Sequence, residues 1–99
     1  MPAQNSYGTW PASGEIDIME SRGNRKLFNP EGVNVGTEQV STTLHYGPYW
    51  PYNGFENAHF EQNSPVDQGF DRAFHTYQVE WTPGKVFKQR YAYVIYCEN

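Results

Sequence analysis

Three acidic side chains lie close together in the sequence and are the residues best suited to catalysis. They are Glu15, Asp17 and Glu20, in the segment E-I-D-I-M-E. Because the side chains of a strand alternate between its faces, Glu15 and Asp17 share one face and Glu20 falls on the other. One extra residue at Ile18-Met19, a β-bulge, returns Glu20 to the face of the other two acids. The spacing therefore predicts three carboxylates lining one groove.

This arrangement of acids suits the cleavage of a glycosidic bond. In that reaction one carboxylic acid protonates the leaving oxygen while a carboxylate attacks the anomeric carbon. A helix is the competing interpretation, but at 3.6 residues per turn Glu15 and Glu20 would point well apart. The polar face of an ordinary amphipathic strand is the other alternative, because short motifs also occur by chance.

The residues on both sides of the acids resemble a known family. The stretch W-P-A-S-G-E-I-D-I-M-E-S-R-G-N is similar to the active-site segment of the glycoside hydrolase family 16 laminarinases and of the β-1,3-glucan recognition proteins derived from them. The segments G-T-E-Q-V-S-T-T-L-H-Y-G-P and F-H-T-Y-Q-V-E-W-T-P resemble two later strands of that family, in the same order. Three ordered segments are more specific than one motif. The resemblance implies an all-β fold, a β-sandwich of the jelly-roll, concanavalin A-like type.

The resemblance also implies a role for each acid. Glu15 corresponds to the nucleophile, Glu20 to the general acid and base, and Asp17 to the residue between them. Clustered negative charge favours protonation of at least one member, and Glu20 is the one expected to hold the proton. The spacing E-x-D-x-x-E resembles the bulged laminarinase branch, which implies β-1,3 or mixed β-1,3/1,4-glucans as substrates. We expect no cofactor and no metal ion for this chemistry.

Aromatic side chains are candidates for sugar binding. Aromatic residues make up 17% of the chain, and flat rings can stack on the apolar faces of pyranoses, although they also fill β cores. Trp10 stands just before the acids and is the predicted sugar platform. Trp81 is interpreted either as part of the cleft floor or as a core residue. Trp50 is interpreted either as part of the cleft rim or as a surface-loop residue without a role.

Three polar side chains are further candidates, and two other histidines are assigned a structural role. His45 ends an alternating run and reaches the cleft if its strand adjoins the catalytic one. Arg22 and Asn24, in S-R-G-N directly after the acids, are predicted to bind substrate on the strength of the resemblance. His59 and His75 are interpreted as structural. No histidine pair has the spacing or cysteine partners of a zinc site, so no metal site is predicted.

The periodicity of the rest of the chain indicates strands separated by loops. Strands are predicted near residues 15–20, 39–46 and 74–81. Residues 22–36 and 47–72 are rich in Gly, Asn and Pro and are predicted to be loops.

The length of the chain is short for this architecture. A β-sandwich with a carbohydrate cleft usually takes roughly 200 residues or more, and this chain has 99. We therefore expect residues 1–84 to be part of a family 16 domain and residues 85–99 to be a divergent tail, with poor folding in isolation. The tail run from Tyr91 to Tyr96 has strand propensity. Cys97 is the single cysteine, so no internal disulfide forms.

The predicted partner is a β-glucan polysaccharide. A net charge of −4 argues against nucleic acid, and no apolar run is long enough to cross a membrane. The resemblance implies an extracellular, monomeric full-length protein, although this sequence contains no signal peptide. Two functions are open: an endo-acting β-glucan hydrolase, and a non-catalytic β-1,3-glucan recognition protein of innate immunity. The recognition proteins typically lack one or both catalytic carboxylates, so the presence of all three acids favours the enzyme.

Overall fold

The described residues form two antiparallel three-stranded sheets and a short 3₁₀ helix. The computed structural model describes residues 1–82, 85–90 and 93–98, with the residues from Thr82 onward described by their backbone alone. The sheet orders are β1-β2-β3 and β4-β5-β6. The elements are β1 (Glu15–Glu20), β2 (Gln39–His45), a 3₁₀ helix (Gly54–Asn57), β3 (His59–Asn63), β4 (Gln78–Thr82), β5 (Lys85–Arg90) and β6 (Tyr93–Glu98). The predicted all-β class is confirmed.

The first two predicted strands are confirmed, and the later predictions need correction. The strand expected at 74–81 begins only at Gln78. The loop expected at 47–72 is wrong in part, because it contains the 3₁₀ helix and β3. The sequence of β3, H-F-E-Q-N, has little intrinsic strand preference apart from Phe60. Its conformation comes from pairing with residues 39–43 of β2, which no local pattern reveals.

The predicted boundary after residue 84 lies in the second sheet. Residues 83 and 84 are outside the described residues, and the backbones of β4 and β5 pair antiparallel on either side of them. The tail strand expected from Tyr91 to Tyr96 corresponds to β6, while residues 91 and 92 are outside the described residues. The division of the chain at this point stays a prediction.

The register of β1 against β2 contains the β-bulge that the acid spacing requires. Asp17 lies opposite Thr43, and Glu20 lies opposite Ser41, with a register shift between the two pairs. Two residues of β1 therefore face the single residue Thr42 of β2. The Thr42 hydroxyl donates a 2.7 Å hydrogen bond to the backbone carbonyl of Asp17, at the start of the bulge. The predicted bulge is confirmed, and a cross-strand hydrogen bond holds it.

Few apolar side chains in the described part of the chain are fully buried. Val40 and Ala58 are the buried hydrophobic residues there, and Pro11 is the largest side chain with less than 2% exposure. Several large apolar side chains on or near the first sheet are exposed, among them Ile18, Met19, Leu27, Phe28, Phe60 and Trp50. No described helix is long and apolar enough to cross a membrane.

We predict that the 99-residue chain alone unfolds without a sharp thermal transition. Burial of apolar area supplies the main favourable free energy of folding, and the described residues bury little of it. Differential scanning calorimetry should show a broad transition of low enthalpy, and a dye that binds exposed apolar surface should fluoresce before heating. A soluble monomer whose calorimetric and van't Hoff enthalpies agree would contradict this expectation.

Candidate active site

Strand pairing gathers the acids and their neighbours on one face of the first sheet. Directly opposed residues in an antiparallel pair project to the same side, as do residues two apart on one strand. We call this side the polar face. It carries Glu15, Asp17 and Glu20 of β1, Ser41, Thr43 and His45 of β2, and His59 and Glu61 of β3. The three acids thus share a face, as the spacing predicts.

The tight turn before β1 places an indole ring against Glu15. Ala12 N donates to the Thr9 carbonyl over 2.9 Å, and Gly14, with a φ of +75°, leads the chain from the turn into β1. Glycine adopts this left-handed conformation without steric cost. Trp10 Nε1 then donates a 2.7 Å hydrogen bond to Glu15 Oε2. The predicted sugar platform is therefore also the hydrogen-bond donor to the predicted nucleophile.

The ring of Trp10 lies within a group of aromatic side chains. It stacks on Trp50 with a centroid distance of 5.7 Å and an interplanar angle of 28°. Its centroid lies 5.4 Å from that of His45. Trp50 is 64% exposed, so its outer surface is open to solvent beside the polar face. Of the two interpretations of Trp50, this position favours the cleft rim.

Asp17 is held by His45, whose tautomer is set by Asn53. His45 Nε2 lies 3.1 Å from Asp17 Oδ2, and the two side chains are 20% and 19% exposed. Asn53 Oδ1 accepts from two backbone N–H groups, so its Nδ2 is the atom facing His45 Nδ1 at 2.9 Å. Because Nδ2 donates, neutral His45 accepts at Nδ1 and carries its hydrogen on Nε2, toward Asp17. His45, predicted to reach the cleft, thus contacts one of the acids, and its role in substrate binding stays a prediction.

Glu20 is exposed and contacts a chain of polar groups that crosses all three strands. The hydroxyl of Thr43 donates to Glu20 Oε2 over 3.2 Å and lies 2.8 Å from His59 Nδ1. His59 Nε2 lies 3.3 Å from Glu61 Oε1. Interpretation of the sequence missed this connection, because it left His59 as structural. The alternation of His59 and Glu61 indicates a shared face only once residues 59–63 are known to be a strand.

A polar cavity of about 250 Å³ lies beside Glu20 and is lined by Glu20, Ser21, Arg22, Gln39, Ser41 and His59. Arg22 Nη1 donates to the Val35 carbonyl over 3.2 Å and to Gln39 Oε1 over 3.1 Å. Gln39 in turn donates to Glu61 Oε2 over 3.3 Å. The predicted binding residue Arg22 therefore has its guanidinium fixed at the wall of a cavity next to the predicted acid.

Two other predicted binding residues are placed differently. The backbone carbonyl of Asn24 accepts a 2.8 Å hydrogen bond from Thr37 N, which ties the loop after β1 to the segment before β2. The Asn24 side chain is exposed. Trp81 lies on β4 of the second sheet and is 72% exposed, which is incompatible with a core position. Their roles in binding stay predictions.

One group of side chains has the donor atoms and spacing to hold a metal ion. Glu15, Asp17 and His45 each offer one ligand atom, and these atoms lie within 4.8 Å of one another. Carboxylate and imidazole donors suit a divalent transition metal. The hydrogen bond from Trp10 to Glu15 and the contact of His45 with Asp17 already use atoms of this group. The expectation of a metal-free site stays a prediction.

Comparison with known proteins finds relatives that are named for β-1,3-glucans. The chain is 45% identical over 82 residues to a protein named Beta-1,3-glucan-binding protein from Penaeus monodon, covering 83% of the chain and 21% of that relative. It is 39% identical over 83 residues to Glucan endo-1,3-beta-glucosidase from Cryptopygus antarcticus, covering 84% and 26%. It is 37% identical over 81 residues to Glucan endo-1,3-beta-glucosidase A1 from Niallia circulans, covering 82% and 10%. The chain is related to β-1,3-glucan proteins.

These relatives are much longer than the match. The chain spans between about a tenth and a quarter of their lengths. No family model matches the sequence, and no solved structure matches it. The relatives include one protein named for glucan binding and two named for glucan hydrolysis. Their names share β-1,3-glucan and differ in whether a reaction is catalysed.

We predict that Asn53→Asp changes the protonation of His45. The new carboxylate would replace the amide donor that faces His45 Nδ1 with an acceptor. A hydrogen on Nδ1, in addition to the one on Nε2, then has a hydrogen-bond partner. The ¹⁵N shifts of His45 should report the Nε2–H tautomer at neutral pH in the wild-type full-length protein and a larger imidazolium fraction in the variant. Asn53→Ser, which can still donate, is the control. Identical ¹⁵N shifts in wild type and Asn53→Asp would show that Asn53 does not set the tautomer.

Proposed function

We propose that this chain carries the catalytic face of an endo-acting β-1,3-glucan hydrolase of the retaining type, in the laminarinase branch of glycoside hydrolase family 16. The substrate is a β-1,3 or mixed β-1,3/1,4-glucan. The observation that carries the proposal is the β-bulge between Asp17 and Glu20, which brings three carboxylates to one sheet face. Two relatives named as endo-1,3-beta-glucosidases support the same substrate class.

The two terminal acids have surroundings suited to different roles. Glu15 accepts a 2.7 Å hydrogen bond from Trp10, which fixes the direction of its carboxylate, as a nucleophile requires. Glu20 is exposed at the cavity edge, where a leaving oxygen and then a water molecule can reach it. A retaining mechanism requires the two carboxyl groups about 5 to 5.5 Å apart. In this proposal Glu15 attacks the anomeric carbon and Glu20 first gives and then takes a proton.

Asp17 and His45 position the other two acids. Asp17 lies between them in the strand and receives the Nε2–H of His45, which offsets part of its charge. His45 is itself fixed by Asn53 and lies against the Trp10 ring. This pair therefore links the aromatic group to the acids, so that a sugar ring seated on one is aligned with the other.

The aromatic pair provides the proposed sugar platform. Trp10 is half-buried and rigid because it stacks on Trp50 and donates to Glu15. In this proposal a pyranose ring packed against these indoles has its anomeric carbon near Glu15. Aromatic contacts of this kind contribute on the order of 1 kcal/mol beyond the area they bury.

We predict that Glu15→Gln in the full-length protein abolishes hydrolysis but preserves glucan binding. Glutamine keeps the size of the side chain and its contact with Trp10, but it has no charge with which to attack. Release of reducing sugar from laminarin should fall by at least about a thousandfold, the scale of a lost catalytic group, while affinity for laminarin stays within about twofold. Calorimetric titration and a reducing-sugar assay measure the two quantities.

Glu31→Gln is the matched control, since Glu31 is an exposed acid in the turn closed by Gly32 N and the Asn29 carbonyl. It should leave both hydrolysis and binding unchanged. The wild-type protein should release the β-anomer first, as seen by ¹H NMR. Hydrolysis at the unmutated rate by Glu15→Gln, or initial release of the α-anomer, would falsify the assignment of Glu15.

We predict that two substitutions of Trp10, both of which remove its hydrogen bond to Glu15, differ in their effect on glucan binding. Trp10→Ala removes the ring and should weaken glucan binding by about two- to tenfold, the range expected for one aromatic contact. Trp10→Phe keeps a ring but loses the hydrogen bond to Glu15, so kcat should fall while KM changes little. Steady-state kinetics on laminarin separate the two effects. Equal losses of kcat in both variants, with KM unchanged, would exclude Trp10 as a sugar platform.

The second candidate function is a β-1,3-glucan recognition protein without hydrolytic activity. The observation that favours it is the 45% identity to the Penaeus monodon glucan-binding protein. Under this alternative the wild-type protein binds laminarin without releasing reducing sugar, and Glu15→Gln changes neither property. The same assays therefore decide between the two functions.

The remaining features of the proposal rest on the family resemblance. We propose a jelly-roll sandwich in which β1-β2-β3 forms part of the concave sheet, and an extracellular, monomeric full-length protein. The partner is the polysaccharide itself, with no nucleic acid or membrane component and no cofactor.

A further inference from the structure

A chain of contacts joins Glu20 to a second acid through Thr43 and His59. Thr43 Oγ1 lies 3.2 Å from Glu20 Oε2 and 2.8 Å from His59 Nδ1. The other ring nitrogen of His59 lies 3.3 Å from Glu61 Oε1. The Thr43 side chain is 2% exposed, so bulk water has little access to the hydroxyl. The four residues come from three adjacent strands, whose register fixes their order.

The single hydrogen of the Thr43 hydroxyl links the protonation of Glu20 to that of His59. When Glu20 is ionised and receives that hydrogen, Nδ1 must donate to Thr43. Nε2 must also donate, because it faces the carboxylate of Glu61. His59 is then an imidazolium.

The contacts can also be satisfied with the charges removed from Glu20 and His59. A protonated Glu20 donates to Thr43, and Thr43 donates to Nδ1 of neutral His59, which keeps its Nε2–H toward Glu61. Neutral His59 beside ionised Glu20 leaves one of the three contacts without a hydrogen. The two satisfied arrangements contain the same number of protons.

The two arrangements interconvert by a balanced proton shift. The Nδ1–H bond of His59 breaks as its proton joins the Thr43 oxygen. The original O–H bond of Thr43 breaks as a new O–H bond forms on Glu20. No further reactant is needed, and the positive and negative charges disappear together.

We propose that His59 is a positioning residue that shares a proton with Glu20 through the Thr43 hydroxyl. This inference rests on the proposed function in giving Glu20 the role of acid and base. Two groups coupled in this way exchange one proton, whose position belongs to the pair and not to either residue. The contact therefore lets Glu20 receive a proton from His59 through Thr43.

The groups around this pair carry more negative than positive charge. The other titratable or charged groups on or beside the polar face are Glu15, Asp17, Arg22, His45 and Glu61. Three of these are acids. The one permanent cation among them, Arg22, donates to Val35 and Gln39 and so does not neutralise the acids directly.

The coupling is tested first without reference to activity, by NMR titration of His59 in the full-length protein. Glu20 Oε2 and His59 Nδ1 are no more than about 6 Å apart, the 3.2 Å and 2.8 Å contacts laid end to end. At that separation the loss of the Glu20 charge should lower the ratio of charged to neutral His59 at pH 6.5 by about threefold. Glu20→Gln makes this change, and His75 provides the reference signal.

Substitution of Thr43 separates the effect of its hydroxyl on His59 from the direct effect of the Glu20 charge. In a Thr43→Val background, Glu20→Gln should change the His59 ratio by less than it does in the wild type. In a Thr43→Ser background, which restores a hydroxyl, the full change should return. Thr43→Ser also guards against loss of folding, because serine is small enough for the same buried position.

The second test is the pH dependence of laminarin hydrolysis. His59→Gln can still form hydrogen bonds but has no proton to pass to Glu20, so the alkaline limb of kcat/KM should move to lower pH with KM unchanged. Thr43→Val should do the same, and Thr43→Ser should restore the wild-type profile. A purely structural role would lower the rate equally at every pH.

The outcomes distinguish this inference from the proposed function. If the response of His59 to Glu20→Gln depends on the Thr43 hydroxyl but laminarin is not hydrolysed, the proton sharing stands and the catalytic role of Glu20 fails. If the response is the same in the wild-type and Thr43→Val backgrounds, only charge proximity links the two groups and the proton sharing is overturned. If laminarin is hydrolysed but His59 titrates identically in the wild type and Glu20→Gln, the proton sharing is overturned. An unchanged alkaline limb in His59→Gln also overturns it.

Discussion

The β-bulge opposite Thr42 is the constraint on which the rest of the site depends. Without it, Glu20 would project from the opposite face of the sheet, and its contact with the Thr43 hydroxyl would be lost. The bulge is held by the Thr42 hydroxyl, which bonds to the backbone carbonyl of Asp17 rather than to a side chain. The direction of the Glu20 side chain thus depends on a hydrogen bond from the Thr42 side chain to the backbone of β1.

The polar face is organised as a nearly closed circuit of hydrogen bonds around the cavity. From Arg22 the contacts pass through Gln39, Glu61, His59 and Thr43 to Glu20, which lies two residues before Arg22. Each link fixes the orientation of the next group. Buried polar residues of the first sheet, including Gln39 and Thr43, therefore orient the other side chains of the polar face.

The local pattern around the acids contained enough information to predict the centre of the site. Alternation located β1 and β2, and the odd spacing of the third acid required the bulge. The position of His45 followed once those two strands were neighbours. In each case the information lay within a few residues of the feature.

The parts that could not be predicted depend on contacts between distant segments. The strand β3 has weak local preference and forms along β2, so the contacts of His59 and Glu61 were invisible to a local pattern. The stacking of Trp10 on Trp50 joins residues forty positions apart. Asn53 likewise sets the tautomer of His45 from a loop whose path is decided by its own backbone hydrogen bonds.

The bulge also bears on how this segment tolerates changes in length. In a regular strand, inserting or deleting one residue reverses the direction of every later side chain. Here β1 has two residues where β2 has one, so removal of either Ile18 or Met19 would restore regular pairing and still leave Glu20 facing the same side. A motif with one residue fewer is therefore geometrically compatible with the same three acids. The strand can lose one residue at the bulge. The loss changes the local curvature of β1, and the three acids still project from the same face.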